Sequence, residues 1–242
     1  MSEQSAVQAT ATILPTRSRS YRTVAQTIVT FIWFAGSLFL GAGRIGWIRG
    51  WISVGLSVIS MSALGLIVRH YNAGLLEERA RWRRKDTKLF DKIFLAAYLP
   101  LTLIQPAVAG LDAGRYRWSS MSFSFVYVGS FLYVAAVALI GWVLVVNPFA
   151  ETSVRIQQDR GQRVITSGPY RFVRHPMYVG MILMYLANPL IWGSVAALVM
   201  SNITTPLIVW RTWREDRTLC LELTGYAEFA ACTRYRLVPG LW

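Results

Sequence analysis

Charge is scarce in this chain. Asp, Glu, Lys and Arg together make up 15% of 242 residues, where a soluble domain carries roughly a quarter. Histidine is scarcer still, with only His70 and His175, far apart in sequence. That spacing, with Cys220 and Cys232 as the two cysteines, supplies no zinc or iron motif. There is no P-loop and no nucleophile elbow, and strands do not alternate with helices, which excludes a soluble dinucleotide-binding domain. Any nucleotide-like ligand must be held by other means.

What the chain has instead is apolar length. Hydrophobic residues reach 54%, and ten Trp and eleven Tyr suit the aromatic belts of a membrane–water boundary. This composition describes an all-α, polytopic integral membrane protein. Apolar runs cover about 24–43, 51–68, 93–111 and 121–146, each near the ~20 residues that one helical crossing needs. Pro100 and Pro106 fall inside the third run. A further run, Met177 to Trp210, would extend roughly 50 Å as one helix, too long for a single crossing. Asn188-Pro189 interrupts it, and proline disfavours helix in the residue before it. The expectation is about six transmembrane segments, the last two forming a hairpin that turns at Asn188-Pro189. Beyond it, Leu219, Leu223, Tyr226 and Phe229 suggest a C-terminal amphipathic helix lying along the surface, with Gly225 as its weak point. Met1 to Arg19 read as a disordered cytosolic tail, and residues 20–242 as one domain.

The net charge is +13. In a soluble protein that would point to nucleic acid. Here the basic residues sit between apolar runs, so membrane lipids are the expected partner. With the hairpin, 21 of the 25 Lys and Arg fall on one side, and the positive-inside rule places both termini in the cytosol. The cluster from Arg79 to Lys88 reads as a headgroup contact or orientation signal.

Val164 to Gly180 concentrates the chemistry. Gly168-Pro169 and His175-Pro176 bracket a basic, aromatic segment that includes Tyr170, Arg171 and Arg174, with Tyr178 just beyond. Arginine offers a fork of donors that keeps its charge, and tyrosine a ring face and a hydroxyl. Such a segment at the mouth of an apolar run suits an anionic or nucleoside-like ligand. His175 reads as a ligand contact or a structural histidine, and Arg171 and Arg174 as ligand donors or membrane anchors. Glu215 and Asp216, near the cytosolic end of the last apolar helix, read as a solvated face or as acceptors beside the basic segment.

Gly168-Pro-Tyr-Arg171, Arg174-His-Pro-Met-Tyr-Val-Gly180, Glu215-Asp216-x-x-Leu219, Gly225-Tyr226 and Arg236-Leu-x-Pro239 together resemble the isoprenylcysteine carboxyl methyltransferase family. Related phospholipid methyltransferases share much of the pattern. The resemblance covers residues 164–239. It implies S-adenosylmethionine at the cytosolic membrane face and a methyl acceptor that is lipophilic or prenylated. It assigns cofactor contacts to Gly168, Tyr170, Arg174, His175, Pro176, Tyr178 and Gly180, with Glu215 closing the site. It places Arg211 or Arg214 toward the substrate. Asp216 stands where the family commonly has a second Glu, and Glu215 rather than Asp216 takes the role. No metal is implied. A sterol-type membrane reductase using NADPH shares a similar His175-Pro-x-Tyr178 and Tyr235-Arg-x-x-Pro239, and a non-catalytic lipid-binding protein is the third reading.

Overall fold

The computed structural model describes residues 17–79 and 86–242, and these are all-helical, with no strand. Seven α-helices follow in order: α1 (Arg17–Ala42), α2 (Ile48–Arg79), α3 (Leu89–Ala109), α4 (Ser124–Val146), α5 (Pro176–Trp192), α6 (Val195–Glu222) and α7 (Tyr226–Cys232). A π-helical turn, Gly110–Tyr116, extends α3, and 3-10 turns occupy Gln158–Arg160 and Gly168–Arg171. The tail expected up to Arg19 lies outside the described residues as far as residue 16, and so do Arg81, Arg83, Arg84 and Lys85 of the basic cluster.

Among the described residues, four helices are long and apolar enough to cross a membrane: Ala25–Ala42, Ile48–Arg79, Leu89–Tyr116 and Ser124–Val146. Against the expected six, α5 is shorter at 17 residues, and α6 turns polar along its second half. The exposed side chains of α1 to α4 include Ile32, Ile59, Leu66, Phe131 and Val134, as a lipid-facing surface requires.

The turn between α5 and α6 is not at Asn188-Pro189. Helix α5 runs through Pro189 to Trp192, and the chain reverses at Gly193-Ser194. Gly193 takes the left-handed conformation that ends a helix, φ 74°, which costs glycine little. Ser194 then caps α6, its hydroxyl accepting from the Ala197 N–H at 3.0 Å. Pro189 is tolerated because the carbonyl it leaves unpaired, that of Tyr185, accepts instead from the Ser201 hydroxyl of α6 at 2.6 Å. The amphipathic C-terminal helix is likewise divided. Helix α6 ends at Glu222, Gly225 adopts φ 83°, and α7 spans seven residues. Tyr226 and Phe229 are buried against the protein rather than free for a membrane surface.

Close helix approach depends on glycine. Gly41-Ala-Gly43-Arg-Ile-Gly46 has the spacing of a dinucleotide-binding loop, but it begins in the last turn of α1 rather than after a strand. A Cβ at Gly41 would strike the Ala107 carbonyl. Helix α4 lies along α5, and a Cβ at Gly129 would sit 2.8 Å from the Ala187 carbonyl oxygen and 2.9 Å from the Ile191 nitrogen. Backbone cannot step aside as a side chain can. Gly129→Ala is therefore expected to cost about 1–3 kcal/mol, read as a lower melting temperature in detergent. Gly65→Ala, with nothing within 4 Å of its Cβ, should not lower it.

The two ends of the bundle differ. At one, Arg49 of α2 donates to the Leu190 and Ile191 carbonyls and, at 2.6 Å, to the Met121 carbonyl. Asp112 accepts from the hydroxyls of Ser119 and Ser194 at 2.5 and 2.6 Å. At the other end, the segment after α4, the start of α5, the end of α6 and the C-terminal segment close over a cleft.

Candidate active site

The start of α5 is set by proline. Pro169 stands at the start of the 3-10 turn Gly168–Arg171 and Pro176 opens α5, positions where a missing N–H costs nothing. The amides just before α5, Arg174 N–H and His175 N–H, donate to the Tyr235 and Arg236 carbonyls at 2.9 and 3.0 Å. The C-terminal segment is thereby fastened alongside the basic segment.

Asp216 is the centre of the arrangement. It is buried, on the face of α6 turned toward α5. Arg174 meets it with two nitrogens, Nε to Oδ1 at 2.9 Å and Nη2 to Oδ2 at 3.0 Å. The Arg236 Nε reaches Oδ2 at 2.7 Å. His175 Nε2 lies 3.2 Å from Oδ1, and the Tyr226 hydroxyl donates to the same oxygen at 3.0 Å. Burial pushes this carboxyl up, but the His175 hydrogen bond and charge, then Arg236 and Arg174, outweigh it and hold it well below the ordinary carboxylate range. The neighbouring Tyr226 hydroxyl moves the other way, raised first by burial and then by the Asp216 charge.

Glu215 points elsewhere. It lines the cleft and accepts a hydrogen bond from the Tyr178 hydroxyl. The His175 and Tyr178 rings stack, with centroids 5.8 Å apart. Arg211 also lines the cleft, yet it is already engaged. Its Nε pairs with buried Asp91 at 2.8 Å, its Nη2 donates to the Thr152 carbonyl at 2.8 Å, and its guanidinium lies 4.6 Å from the Phe94 ring centroid. A buried pair of this kind is costly to break from either side.

The cleft encloses about 860 Å³ of space, part of it open to solvent. Among the residues assigned from sequence, Tyr170, Arg174, His175, Pro176, Tyr178, Arg211 and Glu215 line it. Gly168, Gly180 and Arg214 do not. Gly168, at φ 61°, would bring a Cβ to 3.0 Å from the Trp142 nitrogen, and Gly180 one to 2.6 Å from Ile140, so both serve the packing on α4. Arg214 lies over Phe90 and Trp213, with centroids 5.3 and 5.7 Å away.

Sequence reasoning missed an entire wall. No motif marks residues 149–165, but they fold tightly. Arg155 is buried and grips Glu151 with Nε and Nη2 at 3.0 and 2.9 Å, and Asp159 with Nη1 at 2.7 Å. Arg160 donates to Gln157 at 2.7 Å and to the Pro148 carbonyl at 2.9 Å. Arg155 standing four residues from both Glu151 and Asp159 was the one available signal. Asp91 was likewise missed, counted as one more charge at the head of α3.

Residues 123–219 match the family model of the phospholipid methyltransferases. The match starts at the head of α4 and ends just beyond Glu215 and Asp216, so it contains the basic segment and its acidic partner. No curated protein matches the chain.

Proposed function

Starting from that relationship to the phospholipid methyltransferases, we propose that the protein is a membrane enzyme that transfers a methyl group from S-adenosylmethionine to a lipophilic acceptor. The observation that carries this reading is the meeting of the segment before α5 with the end of α6, where Glu215 lines the cleft and Asp216 lies buried beside it.

The residues suit such a donor. Tyr170 and Tyr178 offer ring faces for a base, and Glu215 offers carboxylate oxygens toward hydroxyl or ammonium groups. When bound, the donor supplies an electrophilic methyl on a sulfonium. Glu215 places negative charge toward that positive centre without desolvation at the moment of reaction. His175 and Arg174, tied to Asp216, hold the start of α5 and the C-terminal segment together as one rigid rim. The wall 149–165 and the aromatic side chains keep water out, which a displacement at methyl carbon needs more than it needs acid–base help. A carboxylate acceptor, as in an isoprenylcysteine, needs only positioning, and Arg211 is the cation beside it. A lipid amine must first lose a proton, and Glu215 is the base within the cleft.

The charge distribution along the sequence supports a site on the cytosolic face, with about six crossings and both termini inside. The acceptor enters sideways between helices from the bilayer.

In detergent, S-adenosylmethionine is expected to raise the melting temperature of the wild-type protein, and NADPH is not. In His175→Ala the shift should disappear. Radiolabelled methyl groups should appear in extracted lipids only with the wild-type protein. A wild-type protein that neither responds to S-adenosylmethionine nor labels any lipid would defeat the proposal.

A further inference from the structure

Ser153 lies on the wall formed by residues 149–165. It is 7% exposed and lines the cleft, yet its hydroxyl is buried without a hydrogen-bond partner. A buried hydroxyl in that condition is uncommon, because the desolvation it suffers is returned only when a partner arrives.

The backbone shows that this placement is enforced. On one side of Ser153, the Thr152 carbonyl accepts from Arg211 Nη2 at 2.8 Å. On the other, the Val154 N–H donates to Asp91 Oδ2 at 2.8 Å, and the Val154 carbonyl accepts from the Lys88 N–H at 3.2 Å. Asp91 joins the two, since its other oxygen pairs with Arg211 Nε at 2.8 Å. Both peptide units flanking Ser153 are pinned, one to α6, whose Arg211 lines the cleft, and the other to Asp91 of α3. These bonds hold the Ser153 backbone, and with it the Cα–Cβ bond, in place on the wall, leaving only rotation about χ1 to aim the hydroxyl.

We propose that Ser153 is a ligand-binding residue whose hydroxyl completes its hydrogen bonding with a polar group of the nucleoside donor, and that the Asp91–Arg211 pair positions it. This rests on the methyl-transfer reading for the identity of the ligand. Ser153 lines the same cleft as Glu151, Gln157 and the start of α5, so a ligand there meets two parts of the chain that are separate in sequence. A donor bound there would couple the wall to α6 through Asp91.

The test uses S-adenosylhomocysteine, the demethylated product, and isothermal titration calorimetry on the purified full-length protein in detergent. Ser153→Ala should weaken its binding about 3- to 10-fold, the range for one lost hydrogen bond. The ligand-free melting temperature of Ser153→Ala should be unchanged or slightly higher, because the variant removes an unpaired buried hydroxyl rather than a bond. A purely structural serine gives the opposite pattern, a lower melting temperature with wild-type affinity, and that result overturns the inference. Equal affinity and equal stability overturn it too. If the wild-type protein itself fails to bind S-adenosylhomocysteine, the methyl-transfer reading falls first and this inference with it. Binding by the wild type and equally by Ser153→Ala removes this inference alone.

Discussion

Asp216→Ala is expected to be the most damaging single substitution near the cleft. It strips the shared acceptor from Arg174, Arg236, His175 and Tyr226 at once, leaving cationic groups in a buried place. Removing one partner of a buried pair costs about 3–5 kcal/mol. For a chain of this size that corresponds to a fall in melting temperature of roughly 10 °C. Asp216→Asn should fall less far, because the amide oxygen still accepts while its NH₂ faces donors. Acid tests the same group. Its folded-state affinity for protons lies below the unfolded one. Its stabilising contribution is therefore complete above the ordinary carboxylate value, about pH 4, and is lost as pH falls through the lower folded value. Thermal unfolding followed from neutral pH downward should show wild-type stability declining in strong acid, and Asp216→Asn should lack that part of the decline. Wild-type melting in Asp216→Ala would mean the four contacts contribute nothing.

Glu215→Gln should instead spare the fold and remove the chemistry. The side chain keeps its length, and its amide oxygen can still accept from Tyr178, so the ligand-free melting temperature should stay near wild type. What disappears is one negative charge facing the cleft. Removing a single preorganised electrostatic group from a reacting centre lowers turnover by roughly 10²- to 10³-fold. Methyl transfer to a lipid extract, followed at saturating donor, measures this. If Glu215 serves only as a base toward an amine, raising pH should recover part of the lost rate. If it stabilises the sulfonium, the loss should be the same at every pH. A variant as active as wild type would remove Glu215 from the centre of the reaction.

Much of the membrane architecture was legible in the residues. Apolar run lengths located the four long helices, because a helix facing lipid must be apolar around most of its circumference. The segment from Gly168 to Tyr178 was legible for a different reason: two prolines and a positive-φ glycine dictate backbone shape locally. What failed was choice among competing local signals. Asn188-Pro189 looked like the stronger breaker, but Ser201 on a neighbouring helix supplies the hydrogen bond that Pro189 cannot, and Gly193-Ser194 supplies true end-and-start chemistry. Partnerships across long separations were invisible. Asp216 was ranked below Glu215 because sequence reports a charge and not the four groups that meet it. Asp91 and Ser153 gain meaning only from Val154 and Arg211, which lie 63 and 120 residues beyond Asp91. Gly168 and Gly180 sit inside a motif, yet their lack of a Cβ serves helix contact, which a one-dimensional pattern does not separate from ligand contact.

The joining of Arg174 and His175 to Tyr235 and Arg236 bears on how the protein comes into being. A nascent chain emerges from the ribosome in order, and its membrane helices can be inserted while the last segment is still being made. Until residue 236 is released, the two amides ahead of α5 have no carbonyl to meet, and Asp216 lacks one of its arginines. Biosynthesis would thus yield an inserted bundle with an unfinished rim first, and a closed rim only once residues 235 and 236 have emerged. A stalled or prematurely stopped chain would occupy the bilayer without acquiring a working rim.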